Sequence, residues 1–226
     1  MKQKIEILEQ YNDKLSAIYD EATSDRDHPW VAPRKIEELT APYAKQGCEV
    51  LDIGIGTGRS SKPLFKKGCK ITGIDISKEM IAEAASKFPE WKIHKQNIEE
   101  GFSFLEDKRF DIIIASGALE FVSDIKKVLK NISELLKPSG KICFTYEKLL
   151  EESRLQKWKE AELGKGIANP IPELLSFLVY RHTKEEITKI MNDLNLEVLQ
   201  DEEFTAYHKT VDNIPVIYGI VLAEKK

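Results

Sequence analysis

The chain has 226 residues, 42% of them hydrophobic and 32% charged, with a net charge of -4. This composition fits one globular domain that buries its own core, and the acidic balance argues against a protein that works on nucleic-acid phosphates. Cys48, Cys69 and Cys143 form no CxxC pair and no zinc spacing, so they are expected as buried thiols in a reducing, cytoplasmic setting. The start, MKQKIEILEQ, lacks the apolar stretch of a leader, and no apolar run approaches the roughly 18 residues of a membrane span.

Residues 1–46 read as a polar helical cap, broken at His28-Pro29 and Ala41-Pro42. Over 47–146 short apolar runs alternate with helical segments. Strands are predicted at Glu49 to Ile53, Lys70 to Ile76, Trp91 to Gln96, Phe110 to Ser116 and Lys141 to Tyr146. Ile112, Ile113 and Ile114 are continuous, as in a strand covered by helices on both faces. Ser77 is placed to cap a helix with Glu79 in its first turn. Asp124 to Lys137 repeats Ile125, Val128, Leu129, Ile132, Leu135 and Leu136 at helical spacing, and Pro138-Ser139-Gly140 is read as its stop. Strand–helix alternation of this kind predicts a doubly wound, parallel α/β sheet with right-handed crossovers.

Residues 147–195 read as an insert on the substrate side, followed by a helix. Glu147 to Gly164 is charged and expected to be helical, Gly164 to Pro172 is a loop, and Thr183 to Glu186 is a capping box opening a helix to about Asn195. Residues 196–226 hold two strand-like runs, Leu196 to Phe204 and Ile214 to Leu222, close enough for a hairpin.

The stretch VLDIGIGTGRS, Val50 to Ser60, carries the most chemistry. Glycines between a strand and a helix permit positive φ and let a ligand touch backbone, and free N–H groups there suit an anion. A dinucleotide loop wants G-x-G-x-x-G, but after Gly54, Gly56 and Gly58 this chain puts Arg59 at the third glycine position. Asp52 would also repel a pyrophosphate, whereas it suits a ligand with an ammonium group. Asp75 ends the second strand, where a carboxylate can accept from both ribose hydroxyls. The pattern asks for a nucleoside, an amino group and a carboxylate without phosphate, which describes S-adenosylmethionine.

From Cys48 to Tyr146 the motifs in order resemble those of the class I S-adenosylmethionine-dependent methyltransferases. Val50 to Gly58 looks like the first motif and Ile71 to Met80 the second. The resemblance implies Asp75 on the ribose, with Ile76 and Met80 against adenine. Gln96-Asn97-Ile98 stands at the third motif, with Asn97 where the family usually has Asp for the adenine amino group. Phe110 to Leu119 looks like the fourth motif, implying Ser116 and Leu119 at the cofactor. Leu136 to Gly140 resembles the turn before the fifth strand. Tyr11-Asn12 and Tyr19-Asp20 are similar to the start of many small-molecule members, and Trp30 stands where relatives have an aromatic residue; both Tyr19 and Trp30 are implied cofactor contacts. The resemblance further implies a Rossmann-like, seven-stranded sheet ending in the terminal hairpin, with residues 1–226 as one domain.

No catalytic group is fixed by the sequence. Glu120 and Tyr146 are the candidates for a base, with Glu147 beside Tyr146 and His28 in a loop further candidates. His94, His182 and His208 are expected at the surface. Phe204, Tyr207 and Tyr218 are expected in the core, whereas Phe177 and Tyr180 could cover a substrate. The pairs Lys66-Lys67 and Lys126-Lys127 read as solvated helix faces. The reading is methyl transfer to a small-molecule acceptor, with no metal, nucleic-acid or membrane partner. A non-catalytic S-adenosylmethionine-binding module and a nicotinamide-dependent oxidoreductase stay open as alternatives.

Overall fold

The computed structural model describes residues 2–24, 29–105, 107–153, 156–163, 177–208 and 213–226. In chain order its elements are α1 (Lys2–Ala22), α2 (Ala32–Thr40), β1 (Glu49–Ile53), α3 (Lys62–Lys66), β2 (Lys70–Asp75), α4 (Lys78–Lys87) and β3 (Lys92–Lys95). There follow β4 (Phe110–Ala115), α5 (Ile125–Glu134), β5 (Leu136–Glu147), β6 (Glu160–Leu163), β7 (Phe177–Tyr180), α6 (Lys184–Asp193), β8 (Leu196–His208) and β9 (Pro215–Lys225).

Seven strands form one sheet in the order β3-β2-β1-β4-β5-β9-β8. The first five strands are mutually parallel, and β9 is antiparallel to both β5 and β8. The Rossmann-like sheet and its terminal hairpin are thus as expected. Winding runs outward from β1 to β3, then returns to β4 on the other side of β1. A sheet wound this way opens a crevice at the carboxyl ends of β1 and β4, where the strand order reverses.

The apolar run of β4 is explained by its two faces. Ile113 and Ala115 join Leu51, Ile53, Phe144 and the buried sides of α5 and α6, while Ile112 and Ile114 join Val50, Cys143, Ile36 and Leu39. All three cysteines are free and buried. Ser77 accepts a hydrogen bond from the Met80 N–H at 3.1 Å, and Thr183 and Glu186 form the predicted capping box.

Three expectations are corrected. Residues 147–164 are not helical where described; they turn, and then form β6 against β7. The cause is tertiary. The Gln156 side chain is fully buried, donating to the carbonyls of Lys148 (3.1 Å) and Ile217 (2.8 Å) and accepting from the Ile217 N–H (2.9 Å). It ties this segment to β9, a partner outside any local pattern. The α5 helix ends at Glu134 rather than Lys137, because Leu136 already pairs with Phe110, and the Pro138–Gly140 turn is absorbed as an irregularity in β5. His182 is buried rather than at the surface, with Nδ1 3.5 Å from Glu186. His28 and the Gly164–Pro172 loop lie outside the described residues, as does the Phe177 side chain. No described helix is long and apolar enough to cross a membrane.

Candidate functional site

A cavity opens at the carboxyl ends of β1, β2 and β4. Of the predicted cofactor residues, Tyr19, Gly54, Gly56, Asp75, Ile76, Met80, Asn97, Ile98 and Ser116 line it. Sequence reasoning named Tyr19 on its roof but not the three residues beside it. Ile5, Leu8 and Asn12 line it with Tyr19, all from α1. Spacings of three, four and seven place these residues on one helix face, so the signal was present as a helical stripe.

The glycine loop is shaped by its own backbone. Gly54, Gly56 and Gly58 have φ of 71°, 52° and 91°, a region that L side chains rarely enter. A Cβ on Gly56 would meet nothing within 4 Å, so this glycine faces open cavity. A Cβ on Gly54 would stand 2.5 Å from the Ala118 Cβ, and one on Gly58 would stand 2.7 Å from Trp91 Cζ3. Gly58 therefore serves close packing, and it does not line the cavity.

Asp75 braces the loop. Its Oδ2 accepts from the Gly56 N–H at 2.8 Å and its Oδ1 from the Ser77 N–H at 2.9 Å. Burial raises its pKa, partly offset by these donors. Each carboxylate oxygen keeps a further lone pair for a ligand. Asp52 sits behind the loop, 1% exposed, with the Ser61 hydroxyl donating to Oδ2 at 2.7 Å and Oδ1 without a hydrogen-bond partner among the described residues. Burial pushes its pKa up to about 7.

Around the rest of the cavity, the Asn97 Oδ1 accepts from the Glu99 N–H at 3.1 Å, capping a short turn. The buried Ser116 Oγ has no partner among the described residues. The roof is pinned by acids of α1. Asp13 accepts from the Ser77 hydroxyl at 2.6 Å, and Asp20 accepts from the Thr57 hydroxyl at 2.5 Å and from Lys87 at 2.7 Å. The Tyr19 phenol has its pKa raised by burial, with Arg59 opposing and Glu120 and Asp75 adding to it.

Four predicted contacts lie off the cavity wall. Asp52 and Gly58 are behind it, as described. Leu119 is wholly buried in the core, because the turn after β4 points it inward. Trp30 packs on Tyr207 and Tyr218, with ring centroids 5.9 Å and 5.3 Å away. Its Cζ2 lies 2.7 Å from where a Gly117 Cβ would stand, so it backs the wall at Gly117.

The two candidate bases part company. Tyr146 belongs to the core on the α6 side, its ring lying against Gly219 and its hydroxyl buried without a partner among the described residues. Glu147, next along the strand, points to the opposite face and is bound by Arg181 at 2.6 Å, both side chains 3% exposed. Glu120 is buried beside Tyr218, whose hydroxyl donates to Oε1 at 2.9 Å.

Residues 51–144 match the family described as "Methyltransferase domain". The ubiquinone biosynthesis O-methyltransferase of Coxiella burnetii is 31% identical over 117 residues, 51% of this chain and 50% of that protein. The chain spans about half the length of the curated relatives it matches. A Methanosarcina mazei S-adenosylmethionine-dependent methyltransferase superposes with a TM-score of 0.69 at 20% identity, covering 83% of this chain and 96% of that one. The Burkholderia thailandensis 1,6-didemethyltoxoflavin-N1-methyltransferase, solved with its substrate and S-adenosylhomocysteine, superposes at 0.65 with 17% identity, covering 96% and 87%. The family match runs from β1 through the glycine loop and into β5, so this part of the chain is similar to methyltransferase domains, and the solved structures share its fold.

Proposed function

We propose that this chain transfers a methyl group from S-adenosylmethionine to a small-molecule acceptor. The observation that carries the reading is the pairing of Gly56 with Asp75: a glycine whose missing side chain leaves the cavity open, held by the acid at the cavity's base. When bound, the cofactor supplies a methyl group on a sulfonium centre. The chain's contribution is to bind and orient. Asp75 offers its remaining lone pairs to the ribose hydroxyls, Ile76, Met80 and Ile98 form an apolar slot for the base, and Asn97 edges it. The partnerless Ser116 Oγ and the backbone of Gly54 face the opposite, amino-acid end. The helix α1 closes the roof and excludes water. In-line displacement gains much of its rate from such positioning.

A small-molecule acceptor is favoured because the matching relatives are named for quinone and toxoflavin substrates and the chain is acidic overall. Three free, buried thiols favour a reducing, cytoplasmic setting.

Thermal unfolding with excess S-adenosylmethionine, S-adenosylhomocysteine, NAD or NADP tests the reading. A ligand at a hundred times its Kd stabilises by about 2.7 kcal/mol, roughly 5–10 °C at this size. A rise with the two adenosyl-sulfur ligands alone is expected, and a rise with NAD or NADP instead would overturn it. Calorimetry should show Asp75→Ala weakening S-adenosylmethionine binding more than tenfold.

A further inference from the structure

Glu120 does not line the cavity, yet it stands directly behind it. It lies on the turn Leu119–Phe121, and the residues on either side of this pair, Ser116 to Ala118 and Phe121 to Val122, line the cavity. Its side chain is 3% exposed. Oε1 accepts from Tyr218 at 2.9 Å and lies 3.6 Å from the position of a Gly117 Cβ. Oε2 is buried with no hydrogen-bond partner among the described residues.

The groups that face this carboxyl are neutral or acidic. Tyr218 comes from β9, Tyr207 from β8, Tyr19 from α1 and Glu147 from β5. The cations nearby are turned to other partners, Arg181 to Glu147 and Arg59 to Thr23. A carboxylate here would be a buried charge without a counter-ion, which is strongly disfavoured. Burial accordingly pushes the Glu120 pKa up to about 8, with the Tyr218 hydrogen bond opposing and Glu147 adding to it. At pH 7 with the cavity empty, the acid is mostly neutral.

We propose that Glu120 reads the charge of the ligand in this cavity: it stays protonated beside an empty site or a neutral ligand and ionises when a sulfonium cation enters. The inference rests on the cofactor reading above and deepens it by naming the residue that separates the charged cofactor from its neutral, demethylated product. The coupling is reciprocal, since a cation that favours the carboxylate is itself bound more tightly by it. The neutral product leaves the acid protonated, forgoes that attraction and is released more easily.

The test needs no acceptor. Titration calorimetry at pH 7, in two buffers of different ionisation enthalpy, counts the protons exchanged when S-adenosylmethionine and S-adenosylhomocysteine bind. The ligands share adenosine, amino and carboxylate groups, so their difference isolates the sulfonium. S-adenosylmethionine should release about one proton more, and its advantage over S-adenosylhomocysteine should grow with pH, up to about tenfold per unit. In Glu120→Gln the difference in protons should vanish and the preference become independent of pH. In Tyr218→Phe, which removes a donor to the carboxylate, the pH dependence should move upward. Equal proton release in the unsubstituted protein overturns the inference, as does a difference that persists in Glu120→Gln or a pH dependence untouched by Tyr218→Phe. Failure of both ligands to bind overturns the cofactor reading itself.

Discussion

The two halves of the sheet's carboxyl edge are held together differently. Over β1 and β2, the two buried acids find donors nearby in sequence: Ser61 to Asp52 spans 9 residues, Gly56 to Asp75 spans 19, and Ser77 to Asp75 spans 2. Over β5 and β9 they come from far apart: Arg181 to Glu147 spans 34, Gln156 to Ile217 spans 61, and Tyr218 to Glu120 spans 98. The acids of the first half belong to a motif and meet these donors as soon as the strand–loop–strand unit forms, with α1 added over it through Asp13 and Asp20. The second exists only once the terminal hairpin has closed the sheet. It holds a buried ion pair, Arg181 with Glu147, where the buried acids of the first half are held by neutral N–H and hydroxyl donors, and that makes it the costlier half to disturb.

The largest effect should therefore come from Arg181→Met. The substitution leaves Glu147 as a buried carboxylate without its cation, a loss of roughly 3–5 kcal/mol in comparable pairs. Urea unfolding measures it. Adding Glu147→Leu to Arg181→Met removes the stranded charge and should recover much of the loss. If the single variant is as stable as the parent, the far half is not held by this pair, and the contrast between the halves fails.

A pH series sharpens the comparison at a smaller size. Burial raises the pKa of Asp52 to about 7 and that of Glu120 to about 8. Unfolded, both acids release their protons near pH 4. Each therefore contributes stability that is fully present below about pH 4 and is lost as pH rises through its folded value. Ligand-free stability should fall by about 2 kcal/mol between about pH 6.5 and 8. Asp111, Asp20, Glu186 and Asp193 have lowered values and act in the opposite direction at the acid end, so they do not mask this decline. Glu120→Gln should flatten its upper part, leaving the share of Asp52. A decline that ends by about pH 7 and is flat above it would assign the burden to Asp52 alone.

The same division explains what the sequence could disclose. The glycine spacing, Asp75, the Ser77 cap and the five parallel strands are local patterns, and each stands where it was expected. The misplacements need distant partners to be seen. Gln156 overrides the helical character of the segment after Tyr146 by bonding to β9. Leu119 and Ser116 both follow β4, but the tight turn sends one to the core and leaves the other at the cavity. Trp30 lies behind the wall because Tyr207 and Tyr218, almost two hundred residues later, complete its surroundings. Burial of Glu120 has the same origin: its partner is on the last strand.

The smallest effects separate two glycines within the motif itself. Gly58→Ala would place a Cβ 2.7 Å from Trp91 Cζ3 and 3.1 Å from Phe88 Cε2, at φ 91°. Those rings are stacked at 3.9 Å and 7°, so neither can yield without disturbing the other. Stability should fall by about 2 kcal/mol, and cofactor affinity should follow only as far as the loop loosens. Gly56→Ala, at φ 52° with open space beyond, meets only the left-handed penalty of about 1–2 kcal/mol. Its methyl group enters the cavity, so affinity for S-adenosylmethionine should fall about tenfold, the equivalent of one lost contact of about 1.4 kcal/mol. Urea midpoints and calorimetric titration on both variants read the two quantities separately. If Gly58→Ala loses affinity while keeping stability, the third glycine faces the ligand after all, and the motif is a cradle along its whole length rather than at one position.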